Sequence, residues 1–353
     1  MARIQIVAFD NAVGNTKDVV LLEHALQRLG HEVTRHAITP ADRRRRRGAL
    51  RALWYRFKAR RRAQRPLPFD LTIFLEHVYP TALGMAKRAV LIPNPEWMDR
   101  HDARWLDDLS ELWSKTHQAE GLFKTLTPNV RYLGFTSEDG YDPSVIKESS
   151  FLHLAGKSRM KGTQALLDVW ARHPSWPTLT VIHSGSISFQ DHGAHNIQRV
   201  DRYLPEPELR RLLNAHRFHL CPSETEGWGH YIPEAMSMKN IVLTLDAAPM
   251  NEHVTSTRGV LFQCQPKGHQ HLAPLFRLDD KALIQWMNQA RYDLAITELD
   301  GMGSRAREYF LSTQTQFIQQ LDERITETLA STVHDHVTSP NELHRDHHSK
   351  FRS

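Results

Sequence analysis

The sequence has little cysteine and no long apolar run. Only two cysteines, Cys221 and Cys264, occur among the 353 residues, and each lies in a short apolar stretch. This excludes a disulfide-stapled secreted domain, and we expect free, buried thiols in a reducing compartment. No run of about 18 apolar residues is present, so we expect no membrane-spanning helix. The opening residues carry no secretion signal, and we expect a cytoplasmic protein.

Two ligand-binding motifs are also missing. The loop after the first predicted strand, residues 10–15, does not contain the G-x-G-x-x-G pattern of dinucleotide binding, so a hydride-transfer cofactor is not indicated. No metal-binding Asp-x-Asp pair occurs anywhere in the chain. We therefore expect neither a cofactor nor a metal site.

Positive charge is concentrated in one stretch. The net charge is only +5, but residues 42–65 contain an arginine run, Arg43 to Arg47, and seven further cations, with Asp42 as the only acid. Leu50, Leu53, Trp54 and Phe57 recur there with helical spacing, which predicts a basic amphipathic helix. Such a helix could lie on an anionic membrane or bind nucleic-acid phosphates. Alternatively, it is a solvated insertion whose apolar stripe packs on its own domain.

The order of strands and helices predicts two α/β domains. Each half of the chain alternates apolar strands with helical segments, which is typical of doubly wound parallel sheets. We place an N-terminal domain at 1–140, with the basic insert at 42–65, and a C-terminal domain at 141–310. A final helix at 311–330 could pack back on the first domain. The His-rich tail at 331–353 is predicted to be disordered, with a metal site on its histidines as the alternative.

The most informative stretch runs from Pro222 to Met236. It follows an apolar strand and leads into a helix with Pro233 near its first position, so it reads as strand, glycine-rich loop, helix. Gly227 and Gly229 allow close backbone approach to a ligand, and a helix start favours phosphate. Glu226 and Glu234 are suited to accept hydrogen bonds from sugar hydroxyls. The alternative is a turn that only connects two core elements.

Two further loops carry candidate ligand-binding residues. A basic, glycine-bounded loop from Gly156 to Gly162 follows a strand in the second half and contains Lys157, Arg159 and Lys161. Glu96 and Trp97 follow a strand in the first half and could present an acid and a stacking face. Trp97 could equally cover the edge of the core.

These motifs resemble those of a known family. The run Pro222-Ser-x-x-Glu226-Gly-Trp-Gly-x-x-x-Pro-Glu234-Ala-Met is similar to the E-x7-E signature of retaining nucleotide-sugar glycosyltransferases, close to family 4 (glycosyl transferases group 1). Gly156–Gly162 resembles that family's basic loop, and Asn251-Glu252 its later acidic turn. The resemblance implies a GT-B fold, in which two Rossmann-like doubly wound domains face each other across a cleft.

The resemblance also implies roles for individual residues. Glu226 would hold hydroxyls of the donor sugar, Glu234 the ribose hydroxyls, and Lys161 the diphosphate, with either Lys157 or Arg159 as a second cation. Position 230 is commonly apolar in the family but is His230 here. Further donor-binding candidates are Gly156, Ser223, Gly227, Trp228, Gly229, His230, Gly14 and Asn15, and the acceptor-side candidates are Glu96 and Trp97.

The implied activity is metal-independent, retaining transfer of a hexosyl group. The donor would be a UDP- or GDP-linked sugar, and the acceptor a cell-envelope or lipid-linked glycan at the inner face of the membrane. Three alternatives stay open: a glycosyltransferase acting on nucleic acid, an epimerase or glycogen-type phosphorylase of the same fold, and a binding protein without catalysis.

Overall fold

The chain is described by a computed structural model over residues 1–9, 14–39, 41, 49–183, 185, 188–289 and 295–331. It divides into two compact units. The first contains residues 1–135 and 270–273 and the chain from Thr315 onward, and the second contains 136–269 and 274–314. The arginine run 43–47 and the tail from 332 lie outside the described residues, so the predictions made for them stay predictions.

The first unit is built on a six-stranded parallel sheet. Its strands are β1 (Arg3–Ala8), β2 (Glu32–Ala37), β3 (Phe69–Leu75), β4 (Ala86–Ile92), β5 (Glu111–Ser114) and β6 (Val130–Tyr132). They are ordered β2-β1-β3-β4-β5-β6, and every pairing is parallel. Successive strands are therefore added first on one side of β1 and then on the other. The topological switch point lies between β1 and β3, the position at which open α/β sheets bind ligands.

Helices and short turns join these strands. They are α1 (Gly14–Arg28), α2 (Ala49–Ala63), α3 (Arg100–Ala103) and α4 (His117–Lys124). Asp99 and Asp102 form a capping box at α3, and the Thr116 hydroxyl caps α4. The core beside the sheet includes Phe74, Trp105 and Phe123, all buried.

The second unit repeats the architecture. Its strands are β7 (Glu148–Gly156), β8 (Leu179–His183), β9 (Ile197–Val200), β10 (His216–Cys221), β11 (Ile241–Leu245) and β12 (Gly259–Phe262). They form a second parallel sheet in the order β12-β11-β10-β7-β8-β9. Here the topological switch point lies between β7 and β10, which are direct neighbours.

The helices of this half complete the α/β pattern. They are α5 (Thr163–Ala171), α6 (Glu206–Ala215), α7 (Tyr231–Ser237), α8 (Met250–His253), α9 (Asp280–Asn288) and α10 (Ile296–Ala330). Phe151, Trp170 and Phe218 lie at the centre of the core, with the rings of Phe151 and Phe218 stacked at 4.9 Å. The predicted class, α/β with doubly wound parallel sheets, is confirmed.

One element of the second half was not predicted. Strands β13 (Cys264–Gln270) and β14 (Ala273–Leu278) form a two-stranded sheet of their own. Most residues of β13 are polar and exposed, so it lacks the apolar alternation by which a strand is recognised. None of the helices in the described parts of the chain is both long enough and apolar enough to span a bilayer.

Candidate functional site

Two loops of the second unit lie side by side at the topological switch point of its sheet. The loop 157–162 follows β7 and the loop 222–230 follows β10, and these strands pair in register at Phe218 and Phe151. The N–H of Glu224 donates to the carbonyl oxygen of Met160 at 2.8 Å, which ties the loops together. Gly162 has a φ of +65°, and a Cβ there would lie 2.1 Å from the carbonyl oxygen of Pro222. Only glycine fits this contact without movement.

The contact between the loops brings together two predicted site residues. Nζ of Lys161 lies 2.5 Å from Oε1 of Glu226, although the two residues are 65 positions apart. The same ammonium sits 3.6 Å from the ring centroid of Tyr231. The side chains of Lys161 and Glu226 remain 18% and 15% exposed, so the pair is held by the protein but accessible. An ammonium attracts anionic groups and a carboxylate accepts hydroxyl hydrogens, so both groups can act on one polar ligand.

Ser223 and Tyr231 contact this pair and each other. The Ser223 hydroxyl donates to Oε1 of Glu226 and contacts the Tyr231 hydroxyl at 2.5 Å. Burial raises the pKa of Tyr231 well above its usual value, so the phenol stays neutral. Burial likewise raises the pKa of the Cys221 thiol, which is free and unreactive in this position. Tyr231 and Cys221 therefore add no charge beside Lys161 and Glu226.

A buried histidine fixes the first loop to the sheet. Nδ1 of His153 lies 2.8 Å from the carbonyl oxygen of Leu220, and Nε2 lies 2.8 Å from the hydroxyl of Thr163. Burial lowers the pKa of His153 to about 4, so the ring is neutral. A neutral ring has one donor and one acceptor, so Nδ1 donates to Leu220 and Nε2 accepts from Thr163. His153 thereby joins β7, β10 and the first residue of α5.

The end of the second loop is held by two side chains that the sequence did not reveal, Ser137 and His253. Nε1 of Trp228 donates to the hydroxyl of Ser137 at 3.1 Å, and the same hydroxyl lies 2.8 Å from Nδ1 of His230. Nε2 of His253 donates to the carbonyl oxygen of Trp228 at 2.9 Å, and burial lowers the pKa of His253 to about 4. The predicted donor-binding side chains Trp228 and His230 thus also serve to position the loop.

A second hydroxyl of this region, that of Thr225, was also not predicted. The side chain of Thr225 is buried, and its Oγ1 has no hydrogen-bond partner within the portion of the chain that is described. Because buried polar atoms are nearly always satisfied, such an atom in a ligand loop is a further candidate contact. Nothing in the local sequence distinguishes Thr225 from any other loop threonine.

Glu234 lies in the first turn of α7 and is buried, with 9% of its surface exposed. Its N–H donates to the carbonyl oxygen of His230 at 2.9 Å. The helix begins at Tyr231, so Pro233 is its third residue, near the helix start as predicted. The missing N–H of proline still has no effect there, because the first four N–H groups of a helix have no intrahelical partner. Gly229, with a φ of +77°, packs on the side chain of Glu226, the first carboxylate of the motif.

The remaining cations of the first loop are exposed. Ser158 caps the short turn Arg159–Lys161 by accepting a hydrogen bond from the N–H of Met160. Lys157 and Arg159 flank this cap, and both side chains are exposed. Gly156 begins the loop with a φ of +60°. In the described parts of the structure, no three His, Cys, Asp or Glu side chains are grouped as metal ligands.

The predicted residues of the first half lie in the first unit. Glu96 is buried, whereas Trp97 is 44% exposed, and both follow β4. Gly14 and Asn15 begin α1. A pair that the sequence did not reveal follows the neighbouring strand β3, where Nδ1 of His77 lies 2.9 Å from Oδ2 of the buried Asp102.

Solved structures with the same architecture exist, although no family model matches the sequence and no curated protein matches it. A glycosyltransferase from Rickettsia africae superposes with a TM-score of 0.69 and 12% identity, covering 94% of this chain and 99% of that one. Sucrose-phosphate synthase from Thermosynechococcus elongatus gives 0.68 and 12%, with 94% and 100% covered. The chain has the GT-B fold. HepE from Anabaena, solved with UDP and glucose, gives 0.61 and 14%, with 94% and 100% covered.

Proposed function

We propose that this protein is a glycosyltransferase that moves a sugar from a nucleotide-diphosphate sugar to an acceptor hydroxyl. The observation that carries the proposal is the pairing of Lys161, on the glycine-bounded loop, with Glu226, on the glycine-rich loop, at the topological switch point of the sheet of the second unit. That position is where open α/β sheets bind nucleotides. The GT-B fold, shared with a protein solved with UDP and glucose, supports the same class of ligand.

The donor is proposed to bind through groups with complementary chemistry. Lys161, with Lys157 or Arg159, binds the diphosphate, and Glu226 accepts hydrogen bonds from the sugar hydroxyls. Glu234 accepts from the ribose hydroxyls, and the N–H groups of residues 228–230 help to fix the diphosphate and the sugar. Additional donor contacts are assigned to Gly156, Ser223, Gly227, Gly229, Gly14 and Asn15.

The chemistry follows from where charge develops. When the bond between the anomeric carbon and the phosphate oxygen breaks, its electron pair stays on the nucleoside diphosphate and the sugar gains oxocarbenium character. Lys161 stabilises the new negative charge, and its contacts with Glu226 and Tyr231 hold the ammonium in place beforehand. The acceptor oxygen bonds to the anomeric carbon on the same face, and its proton passes to the departing phosphate. On this scheme the enzyme retains configuration and needs no metal.

A screen of nucleotides and nucleotide sugars by thermal shift tests the donor site. A ligand present at a hundred times its dissociation constant stabilises the folded protein by about 2.7 kcal/mol. We expect UDP or GDP and one of their sugar conjugates to raise the Tm, and no stabilisation by any nucleotide would contradict the proposal. With donor and acceptor identified, NMR of the product should show the donor's anomeric configuration, and an inverted product would contradict retention.

The acceptor is proposed to be a cell-envelope or lipid-linked glycan at the cytoplasmic face of the membrane. Glu96 and Trp97 are the acceptor-side candidates, because an acid and an exposed ring suit a polyol. If the protein converts the donor to an epimer when no acceptor is present, it is an epimerase and the proposed transfer is wrong. Transfer of label to DNA or RNA would instead identify nucleic acid as the acceptor.

A further inference from the structure

Helix α2 is attached to the first unit by one face. Ala52 and Tyr55 are buried. Ala59 packs so closely on Gly84 that a Cβ added to Gly84 would lie 2.7 Å from the Cα of Ala59. Nε of Arg56 donates to Oδ2 of Asp108 at 2.8 Å, and the guanidinium of Arg62 donates to the carbonyl oxygen of Thr81 at 2.9 Å. These contacts fix which side of the helix faces the unit.

The opposite face presents large apolar side chains to solvent. Leu53 is 64% exposed, Trp54 54% and Phe57 57%, although all three are large apolar residues. They are three of the four residues of the predicted apolar stripe, and the side chain of the fourth, Leu50, lies outside the described part of the structure. The alternative in which the stripe packs on its own domain is wrong for these three residues. The small residues Ala52 and Ala59 and the tyrosine take that place, because they allow the helix to approach the unit closely.

Cations surround these side chains. Nζ of Lys58 lies 5.0 Å from the ring centroid of Trp54, and the guanidinium of Arg61 lies 4.8 Å from that of Phe57. Arg60 and Arg65 are exposed as well, and no acidic residue occurs between positions 43 and 66. The surface formed by Leu53, Trp54, Phe57, Lys58, Arg60 and Arg61 is called the α2 surface below.

Its composition fits one kind of partner best. Phosphates of nucleic acid would engage the cations but would leave Leu53 without a role, and pairing of two α2 surfaces would bring like charges together. An anionic bilayer offers phosphates for the cations and an acyl boundary for the apolar side chains.

We propose that the α2 surface docks on an anionic lipid bilayer, with Leu53, Trp54 and Phe57 inserted at the headgroup–acyl boundary and Lys58, Arg60 and Arg61 on lipid phosphates. The helix lies in the plane of the interface, held to the first unit by Arg56 and Arg62. That a lipid-linked acceptor is reached in this way rests on the proposed function, whereas the docking itself does not.

Sedimentation with vesicles tests the docking. The full chain should bind vesicles of phosphatidylcholine containing one third phosphatidylglycerol, and bind pure phosphatidylcholine weakly. Since each cation near the surface contributes about five-fold in affinity, the variant K58Q/R60Q/R61Q should lose roughly 100-fold. The variant W54Q/F57Q should lose at least about ten-fold, because two rings no longer insert.

A matched control removes exposed apolar side chains elsewhere. Ile146 and Tyr203, 85% and 86% exposed, lie in the second unit, and I146Q/Y203Q should bind vesicles like the wild type. Circular dichroism checks that all variants are folded. K161M should also bind vesicles normally, so a failed transferase assay and a failed docking assay are separate results.

Four outcomes would overturn the proposal. They are no vesicle binding by the wild type, equal binding to uncharged vesicles, full binding by W54Q/F57Q, and loss of binding by the control variant. Duplex DNA binding with a steep salt dependence, in a protein that ignores vesicles, would identify nucleic acid as the partner. A dimer abolished by W54Q/F57Q, again without vesicle binding, would identify a second copy of the chain.

Discussion

Replacing Lys161 by methionine removes the ammonium but keeps most of the apolar stem. That stem leads to an ammonium 3.6 Å from the Tyr231 ring centroid and 2.5 Å from Glu226, so the charge is positioned before any ligand arrives. Loss of one such preorganised group typically lowers turnover by about 10²–10³-fold, or about 3–4 kcal/mol of transition-state stabilisation. We expect that loss for K161M, together with weaker donor binding.

The effect on stability should be smaller than the effect on rate. Glu226 loses its charged partner but keeps the hydrogen bond from Ser223, and its side chain is 15% exposed. We therefore expect about 1–3 kcal/mol of destabilisation, which chemical denaturation can measure. If both residues bind the same donor, the rate losses of K161M and E226Q should not add in the double variant.

Lys267 provides a matched control in the same unit. Its Nζ lies 2.5 Å from Oε1 of Glu224, a loop residue two positions from Glu226, but its side chain is 47% exposed. K267M therefore removes an ammonium–carboxylate pair beside the site without touching the proposed donor contacts. Exposed pairs contribute at most about 1 kcal/mol, so stability and turnover should stay close to those of the wild type.

The assay is release of nucleoside diphosphate from the donor that the thermal-shift screen identifies, with single-turnover kinetics to separate binding from chemistry. A folded K161M protein with a near-normal rate would refute the assignment of Lys161. Equal losses in K161M and K267M would show that the effect comes from loop stability and not from charge at the diphosphate.

Three further changes test the geometry. G162A should destabilise by about 2 kcal/mol or more because its Cβ meets the Pro222 carbonyl, whereas G193A, with a similar φ of +67° and open space, should cost less; equal losses would contradict the steric reasoning. E234Q should weaken nucleotide binding about ten-fold by calorimetry, but not binding of a nucleotide lacking ribose hydroxyls. Burial lowers the pKa of Lys147 to about 7 in the folded protein. Between pH 7 and about 10.5 this lysine is therefore protonated in the unfolded chain but largely deprotonated in the folded one. Stability relative to K147M should therefore rise by about 2 kcal/mol between pH 7 and 9, and a parallel pH profile would contradict this.

Much of the fold could be predicted because its signals are local. Short apolar runs alternate with helical segments in both halves, and strands of a fully covered parallel sheet need little else to be recognised. The prediction failed at β13 and β14, which pair only with each other in a two-stranded sheet, and most residues of β13 are polar. Their formation depends on a neighbouring strand, which a local pattern does not contain.

The sequence names candidate residues for the site, but it does not show the contacts between them. Gly162, Lys161 and Glu226 stand out in sequence as glycine and charge at loop positions. Ser137 and His253 do not, because their importance comes only from contacts with Trp228, 91 and 25 positions away. A serine or histidine with one distant partner looks the same in sequence as any other.

The sequence by itself determined the order of elements, the glycine-bounded and glycine-rich loops and the density of arginine around α2, since each of these depends on residues close together along the chain. Tertiary structure alone decided that Lys161 pairs with Glu226 and that Leu53, Trp54 and Phe57 face solvent. Both outcomes depend on packing between distant segments: β7 on β10 in one case, and Ala59 on Gly84 in the other. Local periodicity identifies the two faces of a helix, but the shape of the surface beneath selects which one is buried.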